Sequence, residues 1–557
     1  MSFQLSPGVN VKEIDLTNVI PAVSTSTGAF VGNFPWGAVD QISLVTSEKN
    51  LLNQFGLPSA AGMVDFITAA YFLKYGNSLR IVRKVDSTAK NANNDAASTN
   101  VVVKNQDDYQ SQTFTGDLEL IAKYPGKIGN TLRVEICGDA TTYATWAYKS
   151  QFASAPGTSD YAAGRGGSND ELHIVVLDEE GSLTGSPNSI LETFGFVSQG
   201  LDAKSNDGAT NYYKEVLNSK SEYVWFAAAD SALTDSGASV NSKAFAQLSA
   251  LVVYSFVGGV DSDALTLGDI QSGYDMFADA ETVDISLMFS PTFEDTSATL
   301  ANYLIAIATA RKDCVAFVSP PTSLTVNVSN PSAGIVTWAD QITSSSYGVI
   351  DSTAIKVYDK YNDQYLFIAA ASSIAGLCAN TDNVADAWFS PAGFNRGQLL
   401  AVTKVAFNPK GAERDELYQA RINPIVTFPG EGTVLYGDKT AQSKPSAFDR
   451  INVRRLFIVL EKAIATAAKF QLFEFNDSFT RAQFRGTVDP FLRSVQGRRG
   501  VTDFAVICDT TNNTGDIIDT NNFVADIYIK PSRSINFISL NFIATRTGVE
   551  FNEIIGQ

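Results

Sequence analysis

Residues 444–509 read KPSAFDRINVRRLFIVLEKAIATAAKFQLFEFNDSFTRAQFRGTVDPFLRSVQGRRGVTDFAVICD, which predicts a long helix, a second helix and a strand. A narrow polar stripe interrupts the apolar positions of the first helix, predicted over 452–475: Arg455, Lys462, Thr466 and Lys469. A helix with so wide an apolar surface is covered on several sides. Asn476-Asp477-Ser478 supplies capping residues for the second helix, and Asp489-Pro490 indicates a further helix start.

Short strand-like segments follow this helical region and also occur at the start of the chain. DFAVICD (503–509), NFVADIYIKP (522–531) and INFISLNFIAT (535–545) predict strands, with NNTGD as a turn. Residues 1–20 and 546–557 predict two extended arms, each too short to bury a face alone. An arm can fold back onto its own chain or add to a sheet of a neighbouring copy, and the residues alone favour the first.

The middle of the chain alternates strand and helix patterns. GMVDFITAAYFLKYG (62–76) has helical spacing, and LRIVRKV (79–85) alternates as a strand. Two apolar runs, VDISLMFSP (283–291) and CVAFVSPP (314–321), flank a predicted helix over 294–313. This order predicts parallel strands that are buried on both faces. Residues 91–220 are rich in Ser, Thr, Asn, Gly and Asp and predict an exposed β-rich insertion.

Composition limits the classes of protein that this chain can belong to. The net charge of −18 argues against a general nucleic-acid binder. Residues 451–557 hold 12 Lys+Arg and 11 Asp+Glu, a net charge of +1, so the remainder carries −19. We expect no membrane insertion and no secretory signal, because no long apolar run is present. The four distant cysteines predict buried, reduced thiols rather than a disulfide framework.

The sequence contains no motif that predicts a catalytic, metal or cofactor site. The single histidine, His173, lies in the strand-like run ELHIVVLD without the nucleophile elbow that a hydrolase relay uses. GTVLYGDKT (432–440) approaches a phosphate-binding loop, but Asp438 stands where the lysine belongs. The chain is therefore not expected to be an enzyme or to need a cofactor.

Two long stretches carry a resemblance to a known family. FPGEGTVLYGDKT through ICD (428–509) and TNNTGD through GVEF (511–551) are similar to the C-terminal core of contractile-phage tail sheath proteins. SPGVNVKEIDLT (6–17) and YPGKIGNTLRVEI (124–136) also resemble sheath motifs. The similarity is dense over about 428–555 and near the first 35 residues, and residues 140–230 depart most.

The resemblance implies an α+β multidomain fold with an inner α/β C-terminal domain that receives exchanged terminal β-arms. The expected parts are listed in chain order: an N-terminal arm (1–20), a split middle α/β domain (21–90 plus 221–440), an outer β-rich insertion (91–220), the inner domain (441–545) and a C-terminal arm (546–557). The expected inter-subunit strand residues are Val9, Val11, Glu13, Ile14, Val549, Phe551, Glu553 and Ile554. The expected tube-facing cations are Arg481, Arg485, Arg493, Arg498 and Arg499, although an ordinary solvated helix face explains them equally well.

The resemblance also implies a function and partners. Sheath subunits stack as hexameric rings around an inner tail tube, and contraction triggered at the baseplate drives the tube through the host envelope. The expected partners are further copies of the chain, the tail tube protein, and the baseplate and tail terminator proteins, without direct nucleic-acid contact. The expected location is the virion tail, after assembly in the host cytoplasm.

Three alternatives remain open from the sequence. The first is the sheath of a phage-derived contractile injection device. The second is a nucleotide-binding α/β enzyme that uses GTVLYGDKT, and the third is a surface-binding module whose insertion recognises host glycans.

Overall fold

The computed structural model describes residues 24–114, 118–227, 232–536 and 538–539. It divides into two compact units. Among the described residues, unit 1 holds 388–390 and the chain from 467 onward, and unit 2 holds the remainder.

The strands are named here in chain order. They are β1 Gly28–Gly32, β2 Ile42–Val45, β3 Leu79–Arg83, β4 Leu120–Ala122, β5 Leu132–Cys137, β6 Glu171–Asp178, β7 Ser189–Ser198, β8 Val224–Phe226, β9 Val252–Ser255, β10 Leu287–Phe289, β11 Val315–Val318, β12 Gly348–Asp351, β13 Ala354–Asp359, β14 Gln364–Ala369, β15 Val402–Val405, β16 Ile422–Asn423, β17 Ile425–Phe428, β18 Gly432–Leu435, β19 Val501–Ile507 and β20 Asp526–Pro531.

The α-helices are named in the same way. They are α1 Glu48–Phe55, α2 Met63–Leu73, α3 Gln106–Ser111, α4 Ala140–Thr145, α5 Asp160–Ala163, α6 Tyr213–Lys220, α7 Leu267–Asp275, α8 Thr299–Arg311, α9 Pro331–Asp340, α10 Ala371–Val384, α11 Gly411–Gln419, α12 Ile451–Ala468, α13 Ser478–Gly497 and α14 Gly515–Asp519.

A seven-stranded sheet in the order β16-β12-β11-β10-β1-β3-β2 forms the centre of unit 2. β1 is parallel to both β3 and β10, so strands from the start and from the middle of the chain share one sheet. β10 and β11 also pair in parallel, which confirms the prediction from the apolar runs on either side of α8. The predicted helix over 62–76 is confirmed as α2.

Both faces of this sheet are covered, as the apolar runs predict. Successive side chains of a strand point to opposite faces. Phe30 of β1 accordingly joins the core that contains Phe72 of α2 and Ile374 of α10. Val31 joins the opposite core, which contains Leu304 of α8 and Trp338 of α9. Helices on both faces are the usual arrangement for a parallel sheet.

The segment between β3 and α7 forms its own sheets. β5 pairs with β6 and β9, β6 pairs with β7, and all three pairings are antiparallel. β4 pairs antiparallel with β8. The strands of these sheets therefore extend to Ser255, beyond the 91–220 range, because β9 adds to β5 from far along the chain.

Arg83, the last residue of β3, is fully buried and holds two loops by three of their backbone carbonyls. Its guanidinium donates to the carbonyl oxygens of Phe34 at 2.7 Å, Gly37 at 2.6 Å and Pro125 at 2.6 Å. Burial lowers the pKa of Arg83 to about 9, because the protein interior disfavours the charged form. This clamp joins the sheet edge to the beginning of the insertion.

Two helix predictions in the C-terminal region are wrong. α12 ends at Ala468 instead of continuing to 475, because the chain turns at Lys469–Gln471 and Phe473 adopts a left-handed backbone with φ 70°. Pro490 does not begin a helix but lies inside α13. A proline there removes one helical hydrogen bond, and the carbonyl of Gly486 that loses its partner lies on the exposed face of α13.

The four cysteines are free and buried, which confirms that prediction. In the parts of the chain that the structure describes, no helix has the length and apolar character needed to cross a bilayer.

One buried carboxyl group in unit 2 makes a pH prediction possible. Asp351 is 1% exposed, accepts a hydrogen bond from the Ser319 hydroxyl, and accepts another from the Thr353 N–H at 3.2 Å. Burial raises the pKa of Asp351 to about 7. The native protein then keeps a proton that the unfolded chain releases above its ordinary pKa of 3.8. Stability from this group is therefore complete below pH 4 and is lost as the pH rises to about 7.

Asp351→Asn should remove this loss, because an amide stays neutral and can donate to the Ser319 oxygen while accepting from Thr353. At pH 8 we expect the variant to be more stable than the parent by on the order of 3 kcal/mol. The measurement is the unfolding midpoint of the unassembled chain from pH 4 to 8, with the exposed Asp415→Asn as the matched control. Parallel pH profiles for Asp351→Asn and the parent would contradict the assignment.

Candidate assembly surface

The polar stripe of α12 is used inside unit 2. Arg455 is 3% exposed, and its Nη2 lies 2.6 Å from Oδ2 of Asp382, which also accepts from the Thr25 hydroxyl at 2.6 Å. Lys462 Nζ lies 2.8 Å from Oδ1 of Asp284. Buried charges are tolerated when they are paired in this way. These two cations therefore hold α12 to its own unit and are not available to a partner.

α13 in unit 1 presents one buried and one exposed face. Asp477 caps the helix, its side chain accepting from the Thr480 N–H at 2.8 Å, as the sequence predicts. The buried apolar face consists of Phe484, Val488, Leu492 and Val495. Their spacing of three or four residues places them along one side of the helix.

The five arginines that the resemblance singles out have different environments. Arg481 is 7% exposed, and its Nη1 donates to the side-chain oxygen of Asn476 at 2.7 Å. The Arg498 guanidinium stacks over the Trp388 ring at 4.7 Å, and Trp388 donates to the Arg498 carbonyl at 3.1 Å. Arg485, Arg493 and Arg499 are exposed. The structure thus separates one internal arginine from four at the surface.

An open groove of about 600 Å³ runs between α13 and β19. The helix contributes Arg485, Asp489, Arg493 and Gln496, and the strand contributes the consecutive residues Asp503–Val506. Side chains of a strand alternate between faces, so four consecutive residues line one groove only where it follows the strand's edge. The groove therefore exposes the backbone edge of β19.

β19 has one strand partner among the described residues. It pairs antiparallel with β20, from Val501 opposite Pro531 to Ile507 opposite Asp526. Its other edge has no strand partner in the described part of the chain, although side chains take two of its backbone groups: Gln496 donates to the Thr502 carbonyl at 3.0 Å, and the Phe504 N–H donates to Asp503 at 3.0 Å. The remaining N–H and C=O groups of this edge could bond to a further strand. Such an edge is the usual acceptor for β-strand addition.

The connection between α12 and α13, together with the first turn of α13, exposes a cluster of large apolar side chains. Phe470, Leu472, Phe473, Phe475 and Phe479 are between 63% and 104% exposed, and we call them the phenylalanine segment. The segment is fixed in place, because Asn476 donates to the Asn522 carbonyl at 2.7 Å and accepts from Arg481. Exposed apolar patches of this kind mark interaction sites.

Sequence reasoning missed the phenylalanine segment by including all of it except Phe479 in the preceding helix. Four phenylalanines within ten residues, three before the Asn476-Asp477-Ser478 cap and one directly after it, were the available signal. The predicted arm residues are not tested by the structure. Val9, Val11, Glu13, Ile14, Val549, Phe551, Glu553 and Ile554 all lie outside the described residues.

The features considered for catalysis have structural roles. His173 lies in β6, stacks on Phe152 at 4.2 Å and accepts the Phe196 N–H at 3.1 Å. Residues 432–435 form β18 of a hairpin, and Asp438 is buried 3.1 Å from Arg450. A phosphate-binding loop would have to lead into a helix, so this segment does not form one. No cluster of potential metal ligands occurs among the residues that the structure describes.

Comparisons with known proteins identify the family. The family model described as phage tail sheath C-terminal domain matches residues 443–545, and the phage tail sheath protein central domain matches residues 263–441. The chain is 36% identical to the tail sheath protein of Vibrio phage KVP40, over 99% of this chain and 100% of the relative. It is 33% identical to the tail sheath protein of Enterobacteria phage T4, over 99% of each.

Solved structures share the fold at low sequence identity. A sheath tail protein from Listeria innocua superposes with a TM-score of 0.55 at 12% identity, covering 92% of this chain and 96% of that one. The anti-feeding prophage helical sheath in the contracted state gives a TM-score of 0.51 at 14% identity, covering 98% and 100%. The full-length relatives are structural tail proteins, and this chain is likewise structural rather than enzymatic. The chain belongs to the tail sheath protein family of contractile-tailed bacteriophages.

Proposed function

We propose that this protein is the subunit of a contractile phage tail sheath that polymerises as stacked hexameric rings around the tail tube. Contraction of the polymer drives the tube through the host envelope and delivers the genome. The subunits assemble in the host cytoplasm and remain in the virion tail. The phage origin of the relatives above 30% identity favours a phage tail over a phage-derived injection device.

The observation that carries this proposal is the exposed edge of β19 beside α13. A sheath must keep its subunits connected while they rotate and translate. Strand addition suits that requirement, because its bonds are between backbones and its flexible linkers allow rigid units to move. We propose that residues 9–16 and 549–555 of neighbouring copies are the added strands.

The arms are long enough to reach another subunit. The predicted arms comprise residues 1–20 and 546–557. Extended strands of 20 and 12 residues span roughly 65 Å and 40 Å, compared with about 30 Å for a small domain. Exchange between copies is therefore geometrically possible from either terminus.

The tail tube is the proposed inner partner, with the baseplate and tail terminator proteins at the two ends of the polymer. Arg499 and the Trp388-stacked Arg498 at the end of α13 supply exposed cations for an acidic tube surface. Contraction needs no nucleotide, because the extended polymer is metastable. Charge pairs gained on contraction contribute about 0–1 kcal/mol each, and their effect adds over many subunits.

The first experiment is negative-stain electron microscopy of the full-length protein, alone and with the tube protein. Striated tubes or stacked sixfold rings are the expected result. Persistent monomers in both samples would overturn the proposal.

Replacing residues 549–555 or 9–16 by Gly/Ser of equal length should abolish polymerisation. The unfolding midpoint of the monomer should stay unchanged, because an arm that joins only other subunits makes no contact within the monomer that its replacement could remove. Sedimentation velocity and electron microscopy measure the assembly. Because the replaced arm keeps its length, a loss of assembly is due to the missing strand and not to an arm that is too short to reach the next subunit. Efficient tube formation by either variant would refute arm exchange.

Phe473→Ser combined with Phe475→Ser should also prevent polymerisation without destabilising the monomer. These side chains are 104% and 84% exposed, so their removal takes no apolar area from the monomer core. Tyr365→Ser, at a position that is 56% exposed in unit 2, is the matched control for solubility. Tubes formed at the parental concentration would show that the phenylalanine segment is not a contact of the polymer.

A further inference from the structure

Two arginines in the β19 groove have no partner in the described chain. Arg485 and Arg493 line the groove and are exposed, and neither makes a hydrogen bond or salt bridge with any residue that the structure describes. Asp509 is the nearby carboxylate, but it accepts its hydrogen bonds from the Thr511 hydroxyl and N–H and forms no salt bridge with Arg485. The groove therefore offers two unused cations beside an open strand edge.

The two arms differ in how they would present carboxylates to this groove. In the N-terminal arm, Glu13 and Asp15 are two residues apart, so a strand places both on one face. In the C-terminal arm, Glu550 and Glu553 are three residues apart, so a strand places them on opposite faces. Only the N-terminal arm can direct two carboxylates into the groove together.

The spacing of the charges also fits the N-terminal arm. Arg485 and Arg493 are eight residues apart, which is about 12 Å along a helix. Glu13 and Asp15 are about 7 Å apart along a strand. The long arginine side chains can converge over the remaining few ångströms, and charge-assisted pairs with carboxylates are the strong class of hydrogen bond.

The other charges around the groove are compatible with this arrangement. Asp489 lies on α13 between the two arginines, which leaves a net charge of +1 from the helix. Asp503 at the strand side is already paired with Lys530 at 3.0 Å. Lys12 alternates with Glu13 and therefore lies on the opposite face of an added strand.

We infer that the β19 groove of one subunit takes the N-terminal strand of a second copy, with Glu13 and Asp15 paired to Arg485 and Arg493. The inference rests on the proposed arm exchange and adds which arm enters this groove and in which register. A slip of one residue would turn both carboxylates away from the arginines, so the pairs specify the register. Arg485 and Arg493 are thereby assigned to subunit recognition instead of tube binding.

The test is a charge exchange in the full-length protein. Arg485→Glu with Arg493→Glu should raise the critical concentration for polymerisation about tenfold or more, as should Glu13→Arg with Asp15→Arg. Combining all four substitutions should restore assembly towards the parental value. Lys49→Glu with Lys204→Glu makes the same change in net charge at exposed positions outside the groove and should leave assembly unchanged.

Each other outcome identifies a different error. If Glu550→Arg with Glu553→Arg restores assembly of the Arg485→Glu, Arg493→Glu variant and Glu13→Arg with Asp15→Arg does not, the groove binds the C-terminal arm. If the Arg485→Glu, Arg493→Glu variant assembles normally but no longer binds the tube protein, the two arginines contact the tube and not the N-terminal arm. If the Gly/Ser arm variants polymerise normally, the proposed function itself fails, independently of the charge pairs. Unfolding midpoints of the variants establish that the monomer is intact in every case.

Discussion

β1 is the constraint around which unit 2 is organised. It takes β3 on one edge and β10 on the other, both in parallel, so strands from the start of the chain share one sheet with β10, β11, β12 and β16. The chain between them has to leave the sheet after β3 and return at the opposite side of β1. That topology makes the intervening residues a separate set of sheets and lets them carry their own core around Leu132, Ile174 and Phe226.

Unit 1 is organised differently, because its described sheet has two strands. These strands, β19 and β20, pack beside the long helix α13. A two-stranded ribbon is at best marginally stable by itself, and further strands or a packed helix are needed to stabilise it. Unit 1 has that helix in its own chain, and β19 has no second strand partner among the described residues. A strand added at that edge, as proposed for the arms, would extend the sheet.

Local patterns predicted the buried elements well. The helical spacing of Phe66, Ile67 and Ala70 gave α2, and the unbroken apolar run around Met288 gave a buried parallel strand. Features set by distant contacts were not predictable. Pro490 indicated a helix start, but the buried face that includes Val488 and Leu492 continues the helix through it. Arg481 was expected to be exposed with the other four arginines, but it is buried and donates a hydrogen bond to Asn476. The pairing of β9 with β5 joins residues too far apart for a local pattern to reveal.

The Arg83 clamp has a consequence for divergence within the family. All three of its acceptors are backbone carbonyl oxygens, in Phe34, Gly37 and Pro125, and any amino acid supplies such an oxygen. The alignment with the KVP40 relative extends over 699 positions, more than the 557 residues of this chain, so that relative carries extra residues. An anchor that recognises only the path of the main chain does not itself require particular side chains at its acceptors, although the backbone at Gly37, with φ 100°, still favours glycine there. Loops fastened in this way can be exchanged or lengthened by evolution while their point of attachment stays fixed.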